Sequence, residues 1–593
     1  MPNLAFGAAT RPHRNRRLAL AAAVLVVPGL VLTGIVQSAN ASPAPPEVAS
    51  DDAVIFYEVT AAGVDPVDLA AELLVAGFDV EGRTPTGLYV QGVASTRAEL
   101  EAVAGLTVVA ATTINPDVTV GPGGGGQDPI LPKRLDGNQY ETYYGGYRTV
   151  EGYLEFTDDI GAAYPDLAKV RNYGRSYTQD FALRTICITA DADQGCQLTP
   201  DVDKARYLLV THIHARELST SEVAWRYMTY LLDGYKKDPQ VTALLDSTEV
   251  WIAPQLNPDG IQVVQDGIAE QGLGVGSPAW QRKNLNPGTV ECGGTWAYSH
   301  KGVDLNRNWD SHWGGAGTDP NQCGQTWPGV EGASEPETYK LVDLMQDLFR
   351  DQRGPGESDP APLNATGAML SLHTAANLAL FPWGYDSTVQ TPNDEGLRSY
   401  AFRASHYNGY PTGQPGEVLY NASGTTDDWT YDDLGIASGT WELGPGGGEC
   451  GGFHPAYTCQ DAFFDLNVPA LMYQAVAART PYKFALGPTT LSAKTRVLDS
   501  GKVQVKINAD DAALGLLGPN PPDSQDVTQA RIFLDRAPWD GGTAKAMQIK
   551  GSGTDVTATA KVAPGTQKKL AWTQAKDADG NWGPIRAVWI PKA

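Results

Sequence analysis

The segment "RYLLVTHIHARELSTSEVAWRYM", residues 206–228, constrains the fold more than any other stretch of the sequence. It begins with an almost unbroken apolar run, which indicates a strand buried on both faces in a sheet between layers of helices. The polar cluster "HIHARELS" follows, and the apolar residues then recur at the spacing of an amphipathic helix. The segment therefore predicts an α/β fold and places reactive side chains where a strand ends.

The N-terminus has the pattern of a secretion signal. Within residues 1–41, four arginines precede a long apolar run, which ends at an A-x-A sequence of small residues. This order is typical of a cleaved signal peptide, so we expect a secreted, extracellular protein. A retained membrane anchor is the alternative, because the apolar run is almost long enough to cross a bilayer. Pro28 and Gly29 disfavour that alternative.

Residues 42–115 predict a small α+β unit. The predicted strands lie at 53–59, 87–93 and 106–112, and the predicted helices lie at 66–77 and 95–105. This alternation suggests a ferredoxin-like topology. Residues 116–137 are rich in Gly and Pro and predict a linker.

Two larger regions follow. Residues 138–484 predict a mixed, mostly parallel sheet flanked by helices. Residues 485–593 contain short β-branched runs between turns, which predict a C-terminal β-sandwich of the fibronectin or immunoglobulin type. Trp572, Trp582 and Trp589 of this domain could contact a cell wall or another polymer, although packing in a core is the competing expectation for at least two of them.

Charge and cysteine content indicate which partners and which cellular compartment suit the protein. Lys and Arg total 44 against 68 Asp and Glu, which gives a net charge of −24. This excess disfavours binding to nucleic acid or anionic membranes, and no stable membrane insertion is expected after signal removal. Six cysteines fit an oxidising compartment, and none forms a CxxC zinc motif. They fall into neighbour pairs along the chain, so we predict the disulfides Cys187–Cys196, Cys292–Cys323 and Cys450–Cys459.

The cluster "HIHARE" contains the side chains of a metal site. His214 ends the predicted strand and Glu217 lies in the turn before a helix whose start is marked by Ser219 and Glu222. An imidazole and a carboxylate at this spacing can converge on one cation and supply two of the three protein ligands of a catalytic zinc. His212 is the rival ligand, since alternation along a strand gives it the same face as His214.

The motifs after this cluster occur in an order that resembles the zinc metallocarboxypeptidases of the carboxypeptidase A, B and T kind. The resemblance covers roughly residues 140–482. The motifs are "GRSYT" (174–178), "HARE" (214–217), "WQRKN" (280–284), "GVDLNRNWD" (302–310), "SEPET" (334–338), "LSLHTAANLALFPWGY" (370–385), "LYNASGTTDDWTYDD" (419–433) and "TWEL" (440–443).

The resemblance implies an exopeptidase with one zinc ion in the domain at 138–484. His214, Glu217 and His373 match the zinc ligands, which leaves His212 outside the site. Asp304 matches a carboxylate that orients the first zinc histidine. Two more residues match catalytic positions: Glu442 the general base and Arg282 the residue beside the scissile carbonyl.

The resemblance also implies how a peptide C-terminus is bound. Asn306, Arg307 and Tyr420 match the group that binds the terminal carboxylate, and Arg216 matches a further subsite. Asp427, just before the Asp-Trp of "TTDDWTY", matches the floor of the pocket for the terminal side chain. An aspartate there predicts that basic termini are accepted beside large apolar ones. The sequence departs from the family at Ala375, where an aromatic residue is common.

The remaining expectations concern partners and alternatives. The family's N-terminal extensions imply that 42–115 is a pro-region or a small regulatory domain. Peptide or protein C-termini are the expected partners. An amidase of the same superfamily that cuts peptidoglycan peptides is one alternative, and a non-catalytic secreted binding protein with a vestigial zinc site is the other.

Overall fold

A computed structural model of the protein describes residues 53–84, 86–114, 140–293, 301–448 and 450–592. The predicted signal peptide at 1–41 and the predicted linker at 116–137 lie outside these residues. Among the helices in the described ranges, none combines the length and the apolar character that a membrane crossing requires.

The N-terminal domain has the ferredoxin-like topology that the sequence predicts. Its sheet has the order β2-β3-β1-β4, and all neighbouring strands are antiparallel. β2 is not predicted from the sequence, because its residues, "DVEGR", are mostly polar. The elements are β1 (Val54–Ala61), α1 (Pro66–Val75), β2 (Asp79–Arg83), β3 (Leu88–Gly92), α2 (Thr96–Ala102) and β4 (Leu106–Ile114).

The central domain contains a mixed eight-stranded sheet in the order β13-β12-β14-β11-β9-β10-β8-β7. Four of its seven strand pairs are parallel, including β9 with both β10 and β11, and β11 with β14. Every residue of β9, β10 and β11 is buried, which confirms a sheet covered on both faces. The strands are β7 (Ala168–Arg175), β8 (Ala182–Ile188), β9 (Ala205–Thr211), β10 (Thr248–Ala253), β11 (Ala368–Thr374), β12 (Leu378–Leu380), β13 (Thr412–Gly413) and β14 (Ala437–Leu443); β5 (Thr142–Tyr143) and β6 (Tyr147–Arg148) form a separate ribbon.

Helices flank this sheet. α4 begins at Ser219, but no side chain caps its first turn. Ser219 and Glu222 thus lie at the start of α4 without forming a capping box, and Glu222 Oε2 accepts a hydrogen bond from Arg226 Nη1 at 2.7 Å. The helices are α3 (Val150–Ala163), α4 (Ser219–Gly234), α5 (Pro239–Ser247), α6 (Pro258–Gln271), α7 (Pro336–Leu348), α8 (Asp394–Asn408), α9 (Pro415–Val418), α10 (Thr426–Leu434), α11 (Gln460–Ala477) and α12 (Pro481–Phe484).

The C-terminal residues form two four-stranded sheets, in the orders β15-β16-β20-β19 and β18-β17-β21-β22. Labelled A to G along the chain, these are the ABED and C′CFG sheets of an immunoglobulin-like sandwich. Buried apolar side chains from both sheets form one cluster. The strands are β15 (Thr489–Val497), β16 (Val503–Asp510), β17 (Val527–Phe533), β18 (Ala544–Ala546), β19 (Gln548–Lys550), β20 (Asp555–Val562), β21 (Lys569–Asp577) and β22 (Arg586–Ile590).

The sandwich packs on the central domain. Trp589 Nε1 donates to Lys237 O at 3.0 Å, and Trp572 packs against the central core. The guanidinium of Arg531 lies over the Trp582 ring at 3.7 Å from its centroid. All three tryptophans therefore have contacts within the protein.

Three disulfides connect the pairs that the sequence predicts: Cys187–Cys196, Cys292–Cys323 and Cys450–Cys459.

Candidate metal centre and substrate cleft

The candidate site lies at the carboxyl ends of three adjacent parallel strands, β9, β11 and β14. His373 in β11 is the register partner of Glu442 in β14. After β9 the chain turns through residues 212–218 before α4 begins. Side chains from neighbouring strands thus reach the edge at which ligands collect in α/β sheets.

His214, Glu217 and His373 form a group that could bind a metal ion. Their ligand atoms lie within 4.8 Å of one another, and all three residues are buried. His214 Nδ1 lies 2.7 Å from Glu217 Oε1, and His373 Nδ1 lies 3.1 Å from Glu217 Oε2. Two imidazoles and one carboxylate are the ligands of the catalytic zinc in carboxypeptidase A. The donor set therefore fits the single Zn²⁺ that the sequence predicts.

The ionisation of these residues favours a bound cation. Burial by itself would raise the pKa of Glu217, but His214 and His373 outweigh it and hold this pKa below its ordinary range. Burial lowers the pKa of His373, although Glu217 opposes the shift. A deprotonated carboxylate and a neutral imidazole are the forms that ligate metals.

Asp304 fixes the orientation of His214. Its Oδ1 lies 3.0 Å from His214 Nε2, so the other ring nitrogen faces the ligand group. Its Oδ2 accepts a hydrogen bond from Arg282 Nη2 at 3.1 Å. Burial would raise the pKa of Asp304, yet Arg282 and His214 together hold it well below its ordinary value. Carboxylates in this position orient metal-binding histidines and increase their basicity.

His212 lies outside the ligand group. β9 ends at Thr211, and His212 has a positive φ of 56°, so the two histidines do not share a strand face as alternation suggested. Its ring is hydrogen-bonded on both sides, to Ser221 Oγ at 2.7 Å and to Ala215 O at 2.9 Å. Burial lowers the pKa of His212 to about 4. It is a neutral histidine that stabilises the turn.

Glu442 and Arg282 lie beside the ligand group. Burial, reinforced by the charge of Glu217, raises the pKa of Glu442 well above its ordinary value. Within the part of the chain that the structure describes, Glu442 Oε2 has no hydrogen-bond partner. Arg282 Nη1 lies 3.8 Å from Glu217 Oε1. Burial would lower the pKa of Arg282, but Asp304 and Glu217 outweigh it, so the guanidinium stays charged.

Asn306, Arg307 and Tyr420 extend the polar group. Asn306 Oδ1 accepts from Thr426 N at 3.0 Å, which ties it to the start of α10. Arg307 donates to Gly317 O at 2.9 Å and to Asn306 O at 2.8 Å. Burial raises the pKa of Tyr420, although the charge of Arg307 opposes the shift.

Asp427 is buried in the first turn of α10, with only 2% of its surface exposed. Its Oδ2 has no hydrogen-bond partner among the described residues. Burial raises the pKa of Asp427, although polar groups near it, Thr425 first among them, oppose the shift. The neighbouring Asp428 is used structurally, since it accepts from Gly384 N at 2.7 Å and from Tyr385 N at 3.1 Å. Of the two carboxylates, only Asp427 keeps an oxygen for a ligand.

The N-terminal domain contacts this cleft through β2. Arg216 Nη2 donates to Glu81 Oε1 at 2.5 Å, and the Arg216 guanidinium lies 4.2 Å from the centroid of the Phe453 ring. A Cβ on Gly82 would lie only 2.9 Å from Ala375 O, so the backbone of β2 fills space beside the residue that replaces the family's aromatic side chain. Burial raises the pKa of Glu81 to about 8, although Arg216 opposes the shift.

Sequence reasoning missed Glu81 and Gly82. Both lie in the strand that was not predicted, and their role depends on how two domains pack. No local pattern marks either residue.

The fold and the site define a class: a mixed α/β protein with a His-Glu-His metal group at the ends of parallel strands. A family model described as "Zinc carboxypeptidase" matches residues 153–460. The chain therefore belongs to the zinc carboxypeptidase family, as the resemblance of its motifs implied.

Individual relatives agree with this assignment. Carboxypeptidase A2 of Mus musculus is 28% identical over 299 residues, which are 49% of this chain and 61% of that protein. Zinc carboxypeptidase A 1 of Anopheles gambiae is 29% identical over 315 residues, or 52% of this chain and 62% of that protein. The chain thus spans about three fifths of the length of these relatives.

Solved structures show the shared fold. Carboxypeptidase A from Helicoverpa armigera superposes with a TM-score of 0.54 at 19% identity, covering 72% of this chain and 98% of that one. Thrombin activatable fibrinolysis inhibitor gives 0.51 at 20% identity, with the same coverage of both chains.

Proposed function

We propose that this protein is a secreted zinc-dependent exopeptidase that hydrolyses the C-terminal bond of peptides and proteins. The observation that carries the proposal is the buried His214, Glu217 and His373 group, with ligand atoms within 4.8 Å of one another, beside a carboxyl oxygen of Glu442 that has no described partner. Three disulfides and the predicted signal peptide support secretion.

We assign the proton transfers to Glu442. When bound, zinc lowers the pKa of a water ligand and polarises a carbonyl group. The Glu442 carboxylate, which lies beside His373 of the ligand group, would accept the proton of the attacking water and donate it to the departing amine. Arg282, kept charged by Asp304, stabilises the negative charge that develops on the carbonyl oxygen.

We assign recognition of the peptide end to Asn306, Arg307 and Tyr420. A guanidinium is suited to this task because its planar N–H groups bind a carboxylate at two points. We assign a further subsite, for preceding residues of the substrate, to Arg216, which is hydrogen-bonded to Glu81 of the N-terminal domain.

We further propose that the enzyme accepts a broad range of C-terminal residues and that Asp427 allows it to accept basic ones. The unpartnered oxygen of this buried carboxylate would bind a Lys or Arg side chain and repel Asp and Glu. Large apolar termini would be accepted through the rest of the pocket.

The domain at 42–115 is, in this proposal, a pro-region that blocks the cleft. Glu81 accepts a hydrogen bond from Arg216, which is then not available to a substrate, and Tyr420 packs against the core of the N-terminal domain. N-terminal sequencing of the active secreted enzyme tests the idea. A mature start after the linker is expected, and a start near Ser42 would make the domain permanent.

One peptide with a free or an amidated C-terminus tests the activity. We expect hydrolysis of the free form only, its loss with a zinc chelator, and its recovery when zinc is added back. Cleavage of a peptidoglycan peptide without a free α-carboxylate would favour the amidase alternative. Absence of any hydrolysis from the processed protein would favour a binding protein.

Glu442→Gln should abolish turnover while zinc stays bound. Glu151→Gln, at an exposed glutamate in α3, is the matched control and should keep full activity. Near-normal kcat in Glu442→Gln would contradict the assignment of Glu442.

A further inference from the structure

One loop of the C-terminal sandwich lies against the edge of the central sheet. Residues 511–526, here the docking loop, connect β16 to β17 and lie on α8 and β13. Gly515 N donates to Phe402 O at 2.6 Å, and Thr412 N donates to Leu517 O at 3.0 Å. β13 is the outermost strand of the central sheet, so Leu517 accepts from an N–H that no further strand of that sheet could bind.

A buried ion pair fixes the start of this loop. Arg403 Nη2 lies 2.7 Å from Asp511 Oδ1, and the two side chains are 3% and 1% exposed. Arg403 also donates to Ala485 O at 2.6 Å. Breaking a buried pair of this kind leaves an uncompensated charge, so the loop is held firmly to α8.

The docking loop contacts the segment that carries Tyr420. Residues 414–420, here the Tyr420 segment, include Glu417, whose Oε1 accepts from Asn520 Nδ2 at 3.4 Å. Glu417 Oε2 accepts from Arg398 Nη1 at 3.2 Å, and the same nitrogen donates to Pro519 O at 3.4 Å. Arg398 therefore bridges the loop and the segment.

The N-terminal domain contacts the same segment. Arg83 Nη1 donates to Val418 O at 3.2 Å, and Tyr420 packs against the N-terminal core. The Tyr420 segment thus contacts both the N-terminal domain and the docking loop. In the proposed maturation only the contact from the C-terminal side remains.

We propose that the docking loop is a positioning element for substrate binding: it holds the Tyr420 segment in its binding orientation through Arg398 and Glu417. This rests on the proposed function, in which Tyr420 binds the peptide end. A segment that is correctly oriented only part of the time weakens apparent binding in proportion to that fraction. The C-terminal sandwich then acts on KM, although it does not line the site.

Gly518→Ala tests the proposal. Gly518 has a φ of +131°, and a Cβ there would collide with Thr412 O, so the substitution displaces the docking loop. Gly553→Ala is the matched control, because Gly553 also has a positive φ, +96°, but no atom lies within 4 Å of the added Cβ. In the processed, active enzyme, we expect Gly518→Ala to raise KM about threefold to tenfold with little change in kcat. The control should leave both constants unchanged.

A double-mutant cycle with Tyr420→Phe separates positioning from general destabilisation. If the loop acts through Tyr420, the effect of Gly518→Ala shrinks in the Tyr420→Phe background. Additive effects, or an unchanged KM in Gly518→Ala, would overturn the proposal. If Gly518→Ala does not fold, Asn520→Gly removes the contact with Glu417 at a position whose φ of 49° glycine adopts without strain, and it should raise KM by a smaller factor; no rise would count equally against the idea.

Hydrogen exchange at residues 414–420 gives a reading that needs no substrate. Faster exchange in Gly518→Ala than in Gly553→Ala is expected, and equal exchange would overturn the proposal. If the wild-type enzyme is inactive but exchange at residues 414–420 is still faster in Gly518→Ala, the proposed function is wrong. The contact between the docking loop and the Tyr420 segment is then still supported.

Discussion

Replacing Asp427 by Asn tests the proposed terminal preference most directly. The substitution removes the charge and keeps the shape of a side chain that is 2% exposed. Because Asp427 Oδ2 has no described partner, no protein contact at that oxygen is lost. The effect should therefore fall on substrates that place a cation in the pocket.

The magnitude follows from one charge-assisted contact. Such a contact in a desolvated pocket contributes about 1–3 kcal/mol, which corresponds to a loss of about 5-fold to 150-fold in kcat/KM for Lys or Arg termini. Phe and Leu termini gain nothing from the carboxylate, so their kcat/KM should change by less than about twofold. Matched peptides that differ only in the last residue measure the ratio directly.

The pH dependence gives a second measure of the same residue. Burial raises the pKa of Asp427, and an acid with a raised pKa loses its charge at a higher pH than an exposed aspartate does. The preference for Lys and Arg over Phe should therefore weaken as the pH falls through that raised pKa. In Asp427→Asn the ratio should not depend on pH over the same range.

Asp428→Asn is the matched control. Its carboxylate is equally buried but accepts from Gly384 N and Tyr385 N, so the change should lower stability and affect both substrate classes alike. Equal losses on basic and apolar termini in Asp427→Asn, or no loss on either, would refute the reasoning.

Three further predictions follow from other contacts. Asp304→Asn should weaken zinc binding about 10-fold to 100-fold, measured by competition with a chelator, because it removes the carboxylate bound to His214. Burial raises the pKa of Glu81 from its ordinary 4.5 to about 8, so Glu81 takes up a proton when the N-terminal domain packs on the central domain. This packing should therefore weaken as the pH rises from about 4.5 to 8. Hydrogen-exchange protection of β2 in the wild-type full chain should fall relative to that in Glu81→Gln across this pH range. A difference between the two proteins that does not change with pH would contradict the raised pKa of Glu81. Glu249→Gln should lower the free energy of unfolding by about 3–5 kcal/mol in urea denaturation, because it leaves the buried Arg206 without the carboxylate 2.8 Å from it.

The sequence predicts the metal group well because its chemistry requires particular side chains at particular strand ends. His214, Glu217 and His373 come from two separate regions, yet each lies where an apolar strand stops. The central sheet is also predictable, since a strand buried on both faces needs a continuous apolar run. The choice between His212 and His214 came from the family motif alone. Alternation suggested one strand face for both, because it could not anticipate that β9 ends before His212.

The contacts between separate parts of the fold are what the sequence does not predict. Glu81 and Glu417 are acidic residues in short polar elements, where exposure to solvent is the ordinary expectation. Each instead meets an arginine of another part of the fold, Arg216 or Arg398, at 2.5 Å and 3.2 Å. Local pattern records whether a side chain suits a strand or a helix, but such pairs depend on which surfaces meet after the elements have formed.

This difference explains why composition marks the last domain as a unit but does not predict how it is attached. The sandwich has its own core of alternating apolar residues, so the sequence alone describes it as a separate module that could contact a polymer. Its docking loop is a Gly- and Pro-rich stretch with no periodicity, and such a stretch is ordinarily expected to be a solvent-exposed connection. Only the structure shows that Asp511 at its start is paired with Arg403 and that its glycines allow close approach to α8 and β13. The sandwich is therefore attached where the central sheet ends, two short elements away from Tyr420.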